Sequence, residues 1–214
     1  MSEQPISSTT TNTAQPSWFW ETHHRTAKVV VRNNTNETIL GVGLVHKYSN
    51  DYNEHKTWAK LAPGEVSSPL EVNYTTGDFT TGRDWWAVEW AAGKWFYYSD
   101  PANLRSLVDQ LEKIAPDAAA TLVGIAIAYA NAQQKGGGLS EDQLEQVVKS
   151  AEDATRAIVQ IMTNDESTKG FKQHILRDED SDRVTEVVLN SDYTITFVSR
   201  SGDSRTKVSW REYA

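Results

Sequence analysis

The chain has 214 residues, a formal net charge of −8 and no cysteine. That length supports a full hydrophobic core, as one large domain or two small ones. Its 29 Asp and Glu against 21 Lys and Arg argue against a general nucleic-acid binder, and the missing thiols exclude disulfides, zinc–thiolate sites and a cysteine nucleophile.

Residues 1–17 (MSEQPISSTTTNTAQPS) are rich in Ser, Thr, Asn and Gln. They lack the basic start and apolar stretch of a secretory signal and are expected to be a disordered tail. The expected location is therefore cytoplasmic, with leaderless secretion as the other route. The longest apolar run, 118–130, is shorter than the roughly 18–20 residues that span a bilayer.

Residues 26–98 have β texture. AKVVVRN (27–33) is a β-branched run ending in the turn cluster Asn33-Asn34-Thr35-Asn36. From Ile39 to Tyr48 the residues alternate. Leu40, Val42, Leu44, His46 and Tyr48 fall on one face, and Gly41 and Gly43 fall on the other, where a bulge or a close neighbour is expected. Pro63-Gly64 is a turn, 70–74 a short strand, and 75–83 (TTGDFTTGR) an ordinary long hairpin loop. DWWAVEW (84–90) and WFYY (95–98) flank the four-residue hairpin loop 91–94. Trp86, Val88 and Trp90 share one face; Trp85, Ala87 and Glu89 share the other.

The period changes from residue 100 to 163. Asp100-Pro101 reads as an N-cap with proline in the first turn, followed by Leu104, Leu107, Val108, Leu111 and Ile114 at helical spacing. A nearly all-apolar helix over 117–134 is expected to be the buried member, stopped at Gly136-Gly137-Gly138. Ser140 and Gln143 form a capping box, and Leu139 and Leu144 a hydrophobic staple, for a third helix. Its stripe is Leu144, Val147, Val148, Ala151, Ala154, Ile158 and Ile161.

Four strands are predicted last, at 171–177, 183–189, 193–199 and 206–210. Neither β block can bury both of its faces alone. The expected fold is α+β: an antiparallel β-sandwich formed by 18–98 plus 171–214, with a three-helix insertion over 99–170.

The strongest anomaly is chemical. Trp85, Trp86, Trp90, Trp95, Phe96, Tyr97 and Tyr98 crowd one hairpin and must occupy both of its faces. Such rings suit sugar faces, lipid interfaces and choline-type cations, although the helical layer is expected to cover one face. The acidic turn 178–182 lacks the glycine and glutamate of an EF-hand loop and reads as a solvated hairpin turn. His46 reads as a hydrogen-bonded structural histidine. Neither it nor His23, His24, His55 or His174 has metal-ligand spacing, and no nucleophile elbow accompanies the serines.

Two resemblances follow. LVHKYSND (44–51), Trp58, Pro63-Gly64, NYTTGDF (73–79), DWWAVEW (84–90) and FKQHILRDED (171–180) together resemble the fungal "up-regulated in Daf" domain family. That resemblance implies a β-sandwich and transfers no catalytic residues. More weakly, RNNTNETI (32–39), Trp58-Ala59-Lys60-Leu61 and Pro63-Gly64 resemble the aegerolysin and actinoporin-like cytolysins, small leaderless β-sandwiches. There the resemblance implies aromatic contacts to membrane lipids.

The expectation is a non-catalytic recognition module of a stress- or defence-related protein. Its candidate contacts are Tyr48, Tyr52, Trp58, Tyr74, Phe79, Trp85 and Tyr97. The ligand would be a small molecule, a lipid headgroup or a glycan. No cofactor, metal or nucleic acid is expected, and the helical stripe is a candidate homo-oligomer interface. The alternatives are a membrane-active protein and a small hydrolase, the latter needing His46 or His174 beside a carboxylate or hydroxyl in a cleft.

Overall fold

The computed structural model describes residues 22–77, 82–99, 104–164 and 171–213. The expected tail 1–17, the Asp100-Pro101 cap and Phe79 lie outside the described residues. The strands are β1 (His23–Asn34), β2 (Ile39–Tyr48), β3 (Tyr52–Leu61), β4 (Leu70–Thr76), β5 (Asp84–Ala92), β6 (Trp95–Ser99), β7 (Lys172–Gln173), β8 (Val184–Asn190), β9 (Thr194–Val198) and β10 (Ser204–Glu212). Between β6 and β7 come α1 (Leu104–Ile114), α2 (Ala118–Gln133) and α3 (Glu141–Asn164).

The expected sandwich is corrected. The strands form one mixed sheet in the order β3-β2-β5-β6-β10-β9-β8-β1-β4, with β7 pairing on β5. Its two end strands meet through side chains. Lys56 Nζ donates to the Pro69 carbonyl at 2.9 Å and Trp58 Nε1 to Ser68 Oγ at 3.0 Å. Glu54 Oε1 accepts from the Asn73 backbone N–H at 3.3 Å and from its Nδ2 at 3.0 Å. The result is barrel-like and nearly closed. The β1–β8 pair is parallel and the others are antiparallel. The late strands therefore close a ring with the early ones, which patterning alone does not distinguish from two facing sheets.

Two cores result. Inside the barrel lie Val29, Val31, Leu44, Tyr74, Trp86, Val88, Leu189 and Phe197, among others. Outside it, Val45, Ala87, Ala91 and Phe96 pack against Leu122, Ala126, Ala151 and Ile158 of the helices. Fully burying a large apolar side chain stabilises by about 1.5–3 kcal/mol, so both layers matter. Helix α2 is less enclosed than its composition suggests, because Gly124 and Ala128 are exposed. The α3 stripe packs inward through Val147, Ala151, Ala154, Ile158 and Ile161, leaving Leu144 and Val148 partly exposed. The capping box is present: Gln143 N–H donates to Ser140 Oγ and Ser140 N–H to Gln143 Oε1.

Strand β2 departs from simple alternation at Gly41. The register shifts between Leu40 and Gly43, and Gly41 takes a left-handed φ of 57°. That bulge turns Leu40 towards the helices and leaves Val42, Leu44 and Tyr48 inside the barrel. Two strand predictions also change. Strand β3 was not expected, because an edge strand with polar residues at Asn53, Glu54, His55 and Lys56 has little apolar period. The 171–177 strand shrinks to two residues, and its remainder is held by side chains instead.

Candidate functional site

The two ends of the barrel differ in chemistry. Strand β2 starts at one end with Ile39 and finishes at the other with Tyr48; β5 runs the opposite way. At the Tyr48 end the interior is polar. His46, wholly buried, places Nδ1 2.9 Å from Glu54 Oε2 and Nε2 2.8 Å from Asp84 Oδ1. Burial alone would lower its pKa, but the hydrogen bonds and charges of Asp84 and Glu54 outweigh that and raise it. Asp84 Oδ2 accepts the Leu176 N–H at 2.9 Å. Both carboxylates therefore already have partners, and His46 is a buried, hydrogen-bonded histidine held between them.

His174 adjoins this cluster and stacks on Phe197 at 5.3 Å between ring centroids. Its Nδ1 is 2.8 Å from Ser204 Oγ, while Nε2 is buried without a partner. Burial and nearby Lys172 lower its pKa, so it is neutral. The serine–histidine contact lacks a carboxylate on the far nitrogen, which the triad arrangement requires. The 178–182 turn is not simply solvated, which corrects that expectation. Asp180 is buried, accepting from the backbone N–H groups of Arg177 at 2.8 Å and Ser201 at 3.0 Å and from the Ser201 hydroxyl at 2.6 Å. It staples the segment after β7 to the β9–β10 turn.

A third buried acid sits between barrel and helices. Glu89 on β5 accepts from the Thr155 hydroxyl of α3 at 2.6 Å, and its Oε2 has no partner. Burial raises its pKa to about 7, against a smaller opposing effect of the Thr155 bond.

The other end of the barrel is aromatic. Cross-strand register places Trp90 of β5, Tyr97 of β6 and Trp210 of β10 in one row. Trp90 and Tyr97 are buried and stack at 5.2 Å with an 11° interplanar angle. Trp210 is 47% exposed. Above the row stands Tyr193, 54% exposed, 6.3 Å from Tyr97 and 5.1 Å from Trp210 between centroids. Tyr193 comes from the β8–β9 turn and adopts φ 58°, a left-handed conformation that costs a non-glycine residue on the order of 1 kcal/mol.

Three of these rings, Trp90, Tyr97 and Tyr193, border a cavity of about 310 Å³, walled by the β1–β2 turn (Thr35, Asn36, Glu37), the β8–β9 turn (Asn190, Ser191, Tyr193) and the Trp90–Tyr97 stack. Local bonds fix the first wall. Asn33 Nδ2 and Thr35 Oγ1 both donate to the Glu37 carbonyl, at 2.9 and 3.0 Å. The Glu37 carboxyl forms no ion pair among the described residues, and partial desolvation raises its pKa. Burial first, and then Glu37 and Tyr193, push the Tyr97 hydroxyl to about 12.

The seven residues singled out from sequence scatter. Tyr48 and Tyr74 are buried at the polar end, their hydroxyls donating to the carbonyls of Thr75 at 3.0 Å and Arg177 at 2.9 Å. Tyr52 and Trp58 lie on edge strand β3, Tyr52 on His24 Nδ1 at 2.9 Å and Trp58 beneath Lys56. Trp85 packs under the helices, which cover that sheet face as expected. Phe79 is outside the described residues. Of the six that are described, Tyr97 alone borders the aromatic cavity. Trp90, Tyr193, Trp210 and Glu37 were not singled out. The one local signal was a tyrosine closing a turn of Asn190-Ser191-Asp192; the Tyr97–Trp210 pairing becomes visible only with the β6–β10 register.

Among the described residues no group of three or more His, Asp or Glu is placed to hold a metal ion, and no helix is long and apolar enough to cross a membrane. No curated protein matches the chain. The family model described as "Up-Regulated in long-lived daf-2" matches residues 23–208, and the chain belongs to that family.

Proposed function

We propose, starting from that membership, that the chain is a non-catalytic recognition module whose ligand enters the aromatic end of the barrel. One observation carries this reading. The cavity beside Tyr97 combines exposed aromatic surface, from Tyr193, with a carboxyl that has no partner among the described residues. Exposed rings with one convergent polar group are the usual makeup of a small-ligand site. The polar end supports the non-catalytic half of the reading, since His46, Asp84 and Asp180 are all committed to buried hydrogen bonds.

Tryptophan emission tests it, because Trp90 and Trp210 flank the site. The chain is titrated with small amines, monosaccharides and neutral lipid vesicles, in parallel with Tyr193→Ala. A saturable response to a soluble compound, weakened in the variant, supports the reading. Silence towards every soluble compound overturns it, and a response to vesicles alone replaces it with membrane binding.

A further inference from the structure

We propose that the barrel-end cavity binds an alkylated ammonium ion that carries no phosphate, with Glu37 as counter-charge and the faces of Trp90, Tyr97 and Tyr193 as walls. This rests on the recognition reading above and names its ligand class.

The charge inventory comes first. Of the eight residues bordering the cavity, Glu37 is acidic and none is basic. Its carboxylate has no cation partner among the described residues, although Thr35 and Asn33 pin its backbone. Aromatic faces carry negative potential and attract cations whose charge is spread over alkyl groups. Ring and carboxylate thus favour the same ligand charge, and the net charge of −8 adds a field of that sign.

Two of the neutral polar groups on the wall, Thr35 and Asn190, are already committed to bonds within the chain. A sugar needs several free donors and acceptors around an aromatic platform. Here Thr35 Oγ1 already lies between Asn33 Oδ1 and the Glu37 carbonyl. Asn190 Nδ2 is turned onto Thr196 Oγ1 at 3.0 Å and Thr194 Oγ1 at 3.3 Å. A phosphate would meet Glu37 with no basic residue on the cavity wall, so a phosphocholine headgroup is disfavoured. The volume, about 310 Å³, stands at the small end of the roughly 300–1,000 Å³ usual for ligand cavities, which suits a small ion. The turn that presents Tyr193 is itself left-handed, with the half-exposed ring standing where glycine would fit with less strain.

The test uses the full chain and four probes at constant ionic strength: choline, its neutral isostere 3,3-dimethyl-1-butanol, phosphocholine and a monosaccharide. Binding is read by calorimetry and tryptophan emission. The expected result is choline bound about tenfold more tightly than the alcohol or phosphocholine. Glu37→Gln lowers choline affinity about tenfold and leaves the alcohol unchanged; Tyr193→Ala weakens both. Equal binding of choline and the alcohol, with Glu37→Gln silent, overturns the cation inference and leaves the recognition site standing. A monosaccharide that binds where choline does not has the same meaning. Phosphocholine binding as tightly as choline overturns the exclusion of phosphate. If no soluble probe binds at all, the recognition reading falls with the inference.

Discussion

A Cβ placed on Gly43 would stand 1.9 Å from Glu89 Oε1 and 2.3 Å from Thr155 Oγ1. Gly43 is not among the left-handed glycines, so the demand for glycine here is steric. The space beside β2 that a side chain would occupy is taken by the carboxyl linking β5 to α3. Gly43→Ala is therefore expected to destabilise by at least about 2 kcal/mol, the scale of overpacking in a tight core. The cost should drop by more than half when measured in a Glu89→Ala background, where Thr155 is free to rotate. Denaturant unfolding of the four proteins of this cycle gives the answer; additive losses would refute the steric account.

Glu89 also predicts a pH dependence. Its folded pKa is raised from 4.5 to about 7, so the native state holds the proton that the unfolded chain releases. The contribution of Glu89 is full below about pH 4.5, falls as pH rises to about 7, and is constant beyond. The total is on the order of 3 kcal/mol, at roughly 1.4 kcal/mol per unit. Chemical denaturation at intervals from pH 4.5 to 7.5 measures it. Glu89→Gln should flatten this part of the curve.

His46 acts in the next window. Its pKa is raised in the fold, where Asp84 and Glu54 hold the imidazolium. That contribution is fully present below the ordinary histidine value of about 6.5 and is lost as pH climbs through the raised one. A second decline in stability is expected on the alkaline side in wild type and in Glu89→Gln alike. His46→Ala leaves Asp84 buried without its imidazole, costing about 3–5 kcal/mol at neutral pH, and the alkaline decline should vanish with it.

Tyr193 separates stability from binding. Glycine at this turn position relieves the left-handed strain, while loss of the half-exposed ring removes some packing. Tyr193→Gly should stay within about 1 kcal/mol of wild type in thermal unfolding. Ligand affinity should nevertheless fall about tenfold. Unchanged affinity would remove Tyr193 from the site.

Much of the local structure is legible in the chain. The face assignment of Trp86, Val88 and Trp90 against Trp85, Ala87 and Glu89 follows from a two-residue period and holds in the barrel. The Ser140–Gln143 cap follows from two residues and the bonds they make. What stays hidden depends on partners far away in sequence. Whether late strands face the early sheet or close it into a ring is set by the β6–β10 and β1–β8 registers, which no local pattern encodes. Leu40 was put on the wrong face because a single left-handed glycine resets the alternation after it. The aromatic cavity was missed for the first reason: Trp90, Tyr97 and Trp210 sit on three strands and Tyr193 on a turn, and register alone gathers them.

The parallel pairing of β1 with β8 has a consequence for synthesis. Asn34 and Asn190 lie side by side yet are 156 residues apart in the chain. While a ribosome is still making the helices, β1 has β4 on one side and an unpaired row of amides on the other. The helices can already dock on β2 and β5, but the ring must wait for β8, β9 and β10. The nascent chain thus passes through an open sheet whose β1 edge stays unpaired until β8 is made, the kind of exposed edge that invites aggregation.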